Sequence, residues 1–253
     1  MTNLDICAAQ YCSVRGDLDA NIERHLQLMH HAARHGVEFM LFPELSLTGY
    51  EPSLAAALAQ TPGSERLRPL RELAQRSGMT TVVGLPLRQP GSAAIMIGAL
   101  VFAADGALAT YTKQHLHPGE DAVFSAGDGG ALLNVKSAPI ALSVCADFTH
   151  ASHMQAAAQA GATLYATSVL ISNDGYARDS GLLRGYAKAH ALGVLMANHG
   201  GPSGGWACAG RSAFWAPGGR QVVSATGPGD CLVIARRRQG AWRGETVECS
   251  MGA

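Results

Sequence analysis

The sequence lacks the features that mark membrane, nucleic-acid-binding and disulfide-stabilised proteins. Its 253 residues include 19 basic and 19 acidic residues, so no positive excess favours a nucleic-acid partner. No segment approaches the about 18 uncharged apolar residues of a transmembrane helix, so we expect no membrane partner. The six cysteines form no CxxC pair, and no cationic region precedes a long apolar run near residue 1. We therefore expect a cytoplasmic protein whose cysteines are reduced thiols.

Common cofactor motifs are also missing. No GxGxxG follows the first predicted strand, at 4–11, so we expect no dinucleotide. The pairs His115–His117 and His150–His153 have spacings that suit a strand and a helix, which keeps a metal hydrolase as one alternative. Because there is no HExxH motif and no dense acid cluster beside either pair, we expect neither a metal nor an organic cofactor.

The composition and the order of predicted elements indicate one α/β domain. Hydrophobic residues make up 47% of the chain and charged residues 15%, which excludes a mostly disordered protein. The length suits a single domain spanning 1–253. Apolar strands alternate with amphipathic helices, which predicts a partly parallel sheet, and the hairpins between these units favour two packed mixed sheets. The predicted helices lie at 17–36, 63–78, 149–161 and 180–193.

Helix boundaries carry specific end signals. Asp17 or Asp19 is expected at the start of the first helix and Gly36 just past its end. The second helix is expected to be capped by Ser64 and stopped by Gly78.

Three ionisable residues, Glu44, Lys113 and Cys145, each follow a predicted strand. Since chemistry in parallel α/β sheets sits at the carboxyl ends of strands, we expect the three side chains to meet in one pocket. A thiolate can attack a carbonyl or nitrile carbon, a buried carboxylate can act as base and acid, and an ammonium can stabilise an oxyanion. Taken singly, the same residues fit a surface acid, a solvated lysine and a core thiol, and their spacing alone leaves both interpretations open.

Three motifs resemble those of the nitrilase superfamily of carbon–nitrogen hydrolases. They are LFPELSLTGYEP, YTKQHLHPGEDAVFSAGD and LSVCADF, and they occur in the order and at the separations of that family. The resemblance implies a four-layer α-β-β-α sandwich of two mixed sheets flanked by helices. It also implies a homodimer or higher homo-oligomer without metal or cofactor.

The resemblance implies a role for each matching residue. Glu44 matches the general base, Lys113 the catalytic lysine and Cys145 the nucleophile, while Glu120 matches a glutamate that positions substrate and lysine. The backbone N–H of Ala146 would complete the oxyanion site. Tyr50 is a candidate substrate contact, and His115 is expected to pack and form hydrogen bonds near the lysine.

The sequence departs from the family pattern at three places. Phe148-Thr149-His150 lacks the arginine that many relatives carry soon after the cysteine. Ala146 replaces the aromatic residue that many relatives carry after the cysteine, and Ala189-His190 stands where many carry Glu-Asn. The CAD sequence at the cysteine differs from the Cys-Trp-Glu common in true nitrilases, so small linear amides rank first as substrates. N-carbamoyl compounds and nitriles remain alternatives, as does a non-catalytic small-molecule binding protein.

Overall fold

The computed structural model describes residues 2–89 and 91–249. The helices of at least one α-helical turn in this part of the chain are α1 (Leu18–Arg34), α2 (Ala55–Leu58), α3 (Arg68–Ser77), α4 (Ala151–Gln159) and α5 (Tyr176–Ala189). The strands are β1 (Leu4–Gln10), β2 (Phe39–Leu41), β3 (Thr80–Arg88), β4 (Ile95–Phe102), β5 (Leu108–Thr112), β6 (Leu133–Val135), β7 (Ala138–Val144), β8 (Leu164–Val169), β9 (Gly193–Asn198), β10 (Ala213–Trp215), β11 (Gln221–Ser224), β12 (Cys231–Arg238) and β13 (Ala241–Glu248).

The strands form two mixed sheets. The first has the order β13-β12-β1-β2-β3-β4-β5 and the second the order β11-β10-β9-β8-β7-β6. Strands β1, β2 and β3 are parallel, as are β7, β8 and β9, while the other pairs are antiparallel. Because β4 is antiparallel to both β3 and β5, strand β5 runs in the same direction as β2.

Side chains that alternate along the strands build the layers. In β1, Ile6 and Ala8 belong to a central apolar cluster that also holds Leu142 and Ala166 of the second sheet. The residue between them, Cys7, belongs to an outer cluster with side chains of α1 and α3. The central cluster therefore joins the two sheets face to face, and α1 and α3 cover the outer face of the first sheet.

The second sheet follows the same rule. Ala166 faces the central cluster, whereas Tyr165 beside it packs with Met154 of α4 and Leu183 of α5. The layers are thus helices, sheet, sheet and helices, which confirms the predicted α/β fold class of two mixed sheets flanked by helices.

The helix boundaries agree with the end signals in part. Asp17 caps α1 by accepting a hydrogen bond from the N–H of Ala20, and Gly78 ends α3 in the left-handed conformation at φ 65°. Ser64 is not a side-chain cap, because its hydroxyl donates to Gln60 and a short 3₁₀ turn precedes α3.

Helix α5 begins at Tyr176, four residues before the predicted start at 180. The polar sequence before Ser180 has no apolar periodicity to mark its first turn. Among the described residues, no helix is long and apolar enough to cross a membrane.

Candidate active site

The ends of three strands bring Glu44, Lys113 and Cys145 together from both sheets. Lys113 directly follows β5 and Cys145 directly follows β7, whereas Glu44 lies three residues beyond the end of β2. Since β2 and β5 run in the same direction, their carboxyl ends deliver the acid and the amine to one edge of the first sheet.

Lys113 is the centre of a buried charged cluster. Its Nζ lies 2.7 Å from Oε1 of Glu44 and 2.8 Å from Oε1 of Glu120. None of the lysine side chain is exposed, and the two glutamates are almost as deeply buried. One ammonium between two carboxylates fixes the positions of all three, and removing the lysine would leave two buried carboxylates without a counter-charge.

A second layer of hydrogen bonds holds Glu120. The hydroxyl of Tyr50 donates to its Oε1 at 2.7 Å, and the backbone N–H of His117 donates to its Oε2 at 2.7 Å. Glu120 therefore accepts hydrogen bonds from three protein donors, Lys113, Tyr50 and His117. In contrast, Oε2 of Glu44 is buried and has no hydrogen-bond partner among the described residues.

These surroundings raise the pKa values of both Glu44 and Lys113, for different physical reasons. Burial, reinforced by the charge of Glu120, raises the pKa of Glu44 above its usual value, although Lys113 partly offsets the shift. Burial alone would lower the pKa of Lys113, but Glu44, Cys145 and Glu120 outweigh it and raise that pKa above its usual value. The lysine is therefore a permanent cation, and the glutamate is a carboxylate with increased proton affinity.

Cys145 sits on a strained turn. Its φ of 45° lies in the left-handed region, which typically costs about 1–3 kcal/mol for a residue other than glycine. The turn begins a 3₁₀ segment, Cys145–Thr149, directly after β7. The N–H of Ala146 lies in the first turn of this segment, where backbone donors have no partner within the helix.

The surroundings of the Cys145 thiol favour its neutral form. Burial and the charge of Glu44 raise its pKa above the usual value, against the opposing effect of Lys113. Its Sγ is 3.8 Å from the carbonyl oxygen of Leu170. Attack on a substrate therefore requires the thiol proton to move to a base, and Glu44 is the neighbouring carboxylate.

A cavity of about 850 Å³ opens onto this cluster. Glu44, Tyr50, Glu120, Cys145 and Ala146 line it. Lys113 lies behind this lining, bonded to the two glutamates.

The His115 side chain is not part of the cavity wall. It approaches Asp147, with Nδ1 3.1 Å from Oδ1, and stacks on His150 at a centroid distance of 3.8 Å. His117, two residues later, is the histidine of this segment that lines the cavity.

Asp147 is a site residue to which the sequence analysis gave no role. It is fully buried and accepts hydrogen bonds from the backbone N–H groups of Gln114, His115 and Val144 and from the hydroxyl of Tyr111. The carboxylate thus ties the segment after Lys113 to the residue before Cys145. An acid two residues after a candidate nucleophile was the available signal, but the sequence does not show which donors it meets.

The loop that carries Glu44 is also fixed from several sides. Nε2 of His199 donates to the carbonyl oxygen of Glu44 at 2.7 Å, and the hydroxyl of Ser168 donates to the carbonyl oxygen of Phe42 at 2.7 Å. Burial lowers the pKa of His199 to about 4, so its ring is neutral. Neither residue lies near Glu44 in sequence, so sequence reasoning had no signal for these contacts.

Within residues 2–89 and 91–249, no three or more His, Cys, Asp or Glu side chains lie together in a way that could hold a metal ion. His153 instead uses both ring nitrogens, with Nε2 2.8 Å from the hydroxyl of Tyr111 and Nδ1 2.9 Å from that of Tyr165.

Known proteins with the same architecture carry a reactive cysteine. The sequence model of the carbon–nitrogen hydrolase family matches residues 6–243. A structure of a variant amidase from Nesterenkonia sp. AN1, showing covalent addition of the acetamide moiety of fluoroacetamide at the active-site cysteine, has a TM-score of 0.83 and 26% identity. That match covers 92% of this chain and 90% of the amidase.

Two further structures of that amidase contain amides. A variant in complex with butyramide has a TM-score of 0.84 and 25% identity, and the match covers 94% of this chain and 92% of the other. A variant in complex with acrylamide has a TM-score of 0.83 and 25% identity, with coverage of 94% and 91%.

Proposed function

We propose that this chain, which belongs to the carbon–nitrogen hydrolase family and is a cysteine-dependent hydrolase, cleaves small linear amides to a carboxylic acid and ammonia. The observation that carries the proposal is the Lys113 ammonium, held by Glu44 and Glu120 behind a cavity that Cys145 lines.

In the first step, Oε2 of Glu44 accepts the thiol proton as Sγ of Cys145 forms a bond to the amide carbon. The raised pKa of Glu44 favours this transfer, since a base works best when its pKa approaches the working pH. Negative charge develops on the amide oxygen. The Nζ–H of Lys113 and the backbone N–H of Ala146 are the donors that stabilise it, each worth about a hundredfold in rate or more.

In the second step, protonated Glu44 gives its proton to the leaving nitrogen. The C–N bond breaks, ammonia departs and a thioester to Cys145 remains. Water then attacks the thioester carbon while Glu44 removes a proton, and the acid leaves as the thiol is regenerated. One amide and one water are consumed, and one acid and one ammonia are produced.

The amide is favoured over other C–N substrates by two observations. The amidase of Nesterenkonia sp. AN1 binds acrylamide and butyramide in variants with the same fold. The Ala146-Asp147 sequence after Cys145 differs from the Trp-Glu common after the cysteine of true nitrilases. N-carbamoyl compounds and nitriles are the competing substrates.

The test is ammonia release from butyramide, N-carbamoyl-β-alanine and butyronitrile by the native protein and by Cys145→Ala and Glu44→Gln. We expect the amide to give the highest kcat/KM, Cys145→Ala to abolish turnover and Glu44→Gln to lower kcat by about 10²- to 10⁴-fold. Higher activity on the carbamoyl compound or the nitrile would reject the amide assignment. Ammonia release by Cys145→Ala equal to that of the native protein would reject the mechanism.

We also propose that the chain is one domain spanning 1–253, forms a homodimer and works in the cytoplasm. One central cluster takes residues from strands of both sheets, which supports a single cooperative unit. The resemblance to the nitrilase superfamily supports the dimer, and six free thiols suit a reducing compartment. A single transition in thermal unfolding tests the one domain. Sedimentation equilibrium tests the homodimer, and cell fractionation tests the cytoplasmic location.

A further inference from the structure

A short turn presents an exposed tryptophan at the mouth of the cavity. Ser203 and Trp206 are joined by two backbone hydrogen bonds, of 3.2 and 2.9 Å. The residues between them, Gly204 and Gly205, have φ values of 58° and 79°, which a two-residue hairpin turn with left-handed backbone requires. The Trp206 residue lines the cavity and is 49% exposed, so a large apolar ring faces solvent there.

This turn packs against Tyr50, the residue whose hydroxyl forms a hydrogen bond with Glu120. The hydroxyl of Ser203 accepts a hydrogen bond from the N–H of Tyr50 at 2.8 Å. A Cβ atom on Gly204 would lie only 2.4 Å from the carbonyl oxygen of Tyr50, so the close approach depends on glycine. Since Tyr50 in turn donates to Glu120 at 2.7 Å, the position of Trp206 is set relative to the catalytic cluster.

The cavity is much larger than the simple amides seen in the related structures. Butyramide has six non-hydrogen atoms, which at about 30 Å³ each would occupy about 180 Å³. The cavity holds about 850 Å³, within the range of about 300–1,000 Å³ that is typical for drug-sized ligands. Most of the space is therefore free for a larger acyl group.

The lining indicates what that acyl group is. The wall of the cavity contains the apolar side chains of Leu116, Phe148, Leu170 and Ile171.

Carboxylates outnumber cations around this wall. Glu44, Glu120, Asp174 and Asp179 line the cavity, and the Arg178 guanidinium is held by Asp179 at 2.8 Å. A substrate carboxylate would meet repulsion from this surplus, whereas an uncharged tail would not.

We propose that the preferred substrates are primary amides whose acyl chain ends in a flat, uncharged ring, which packs against Trp206. The inference rests on the proposed amide hydrolysis and specifies its substrate class. The carboxamide lies at Cys145, the chain crosses the apolar wall and the ring covers the indole at the mouth.

The test compares 3-phenylpropionamide with propionamide and with succinamic acid, which replaces the ring by a carboxylate. We expect kcat/KM for the phenyl amide to exceed that for propionamide by about 10- to 100-fold, the gain from burying a phenyl-sized group. Succinamic acid should be the poorest of the three. Trp206→Ala should lower the ratio of kcat/KM for the phenyl amide to kcat/KM for propionamide about tenfold.

Leu182→Ala is the matched control, since Leu182 is another exposed large apolar residue, in α5, and does not line the cavity. This variant should change kcat/KM for neither amide. Equal kcat/KM for phenyl and plain amides, or a Trp206→Ala variant that keeps the full preference, would overturn the inference. A preference for succinamic acid would overturn it as well.

Binding to Cys145→Ala separates this inference from the proposed reaction. If no amide releases ammonia with the native protein, the proposed function fails. Calorimetry can still compare the affinities of Cys145→Ala for 3-phenylpropionamide and propionamide, which tests whether a ring binds at Trp206. Tighter binding of the phenyl amide, lost in Cys145→Ala/Trp206→Ala, supports the ring site. Equal affinities refute it.

Discussion

Replacing Gly84 by alanine should displace the loop that carries Glu44. Gly84 lies in β3, and a Cβ atom there would be 2.5 Å from the N atom of Leu45 and 2.6 Å from the carbonyl oxygen of Pro43. Both neighbours are backbone atoms, so no side chain can rotate away. Relief of the contact to an ordinary 3.4 Å requires the loop to move by about 0.9 Å.

The displacement has two separate consequences. Overpacking a close-packed site costs about 1–3 kcal/mol in the free energy of unfolding, and each kcal/mol lowers Tm by about 2–4 °C for a chain of this size. A shift of about 1 Å in a catalytic group costs about a hundredfold in rate. We therefore expect a folded Gly84→Ala protein with a slightly reduced Tm and a kcat for butyramide about a hundredfold lower.

The matched control is Gly181→Ala in α5, where an added Cβ meets no atom within 4 Å. This variant should keep its kcat and gain about 0.5–1 kcal/mol, because alanine is the better helix residue. Thermal unfolding and ammonia release are measured on both. Native kcat and Tm in Gly84→Ala would refute the packing of the Glu44 loop against β3.

Three other perturbations test different parts of the site. Asp147→Asn should lower the free energy of unfolding by about 3 kcal/mol in urea titrations. Hydrogen bonds to a buried charge contribute about 1.5–3 kcal/mol each, and the amide nitrogen of asparagine cannot accept them. Unchanged stability would mean that Asp147 does not join the Lys113 and Cys145 segments. The acid limb of the kcat–pH profile should lie above the ordinary glutamate pKa of 4.5, because Glu44 must be ionised and burial raises its pKa; a limb below that value would contradict its role as base. Burial lowers the pKa of His25 to about 3 and of His199 to about 4, so the stability from their neutral forms is complete above about pH 6.5 and is lost as the pH falls towards those values. At about pH 5 each of these two histidines should lower the free energy of unfolding by about 2 kcal/mol relative to neutral pH. His25→Gln should remove about half of this combined loss, measured by urea unfolding.

The fold and the charged cluster were largely accessible from sequence because they depend on local patterns. Alternation along strands such as β1 and β8 separates the central cluster from the outer ones, and a period of two is visible in the sequence. Glu44, Lys113 and Cys145 each end an apolar segment, and the resemblance of their motifs to the nitrilase superfamily singled them out as one site. The distances between these side chains could not be predicted from the sequence, since they depend on how the two sheets pack against each other.

The supporting contacts were inaccessible for the same physical reason. His199 meets the carbonyl oxygen of Glu44 across 155 positions of sequence, and no pattern at either residue specifies the partner. His115 was expected to pack and form hydrogen bonds near Lys113, and its partners in the structure, Asp147 and His150, are not specified by the sequence. The two-glycine turn at Trp206 contacts Tyr50 through Ser203, and that contact depends on the fold.

The measurement that tests the central claim most directly is alkylation by iodoacetamide, a primary amide, followed by peptide mass spectrometry. Cys145 and Cys12 are both partly exposed, and the other four cysteines are buried, so Cys12 is an internal reference. We predict that Cys145 is labelled first, that butyramide protects it and that Glu44→Gln slows its labelling without affecting Cys12. Labelling of Cys12 while Cys145 stays unmodified, or equal rates at Cys145 in the native protein and Glu44→Gln, would contradict a nucleophile activated by Glu44.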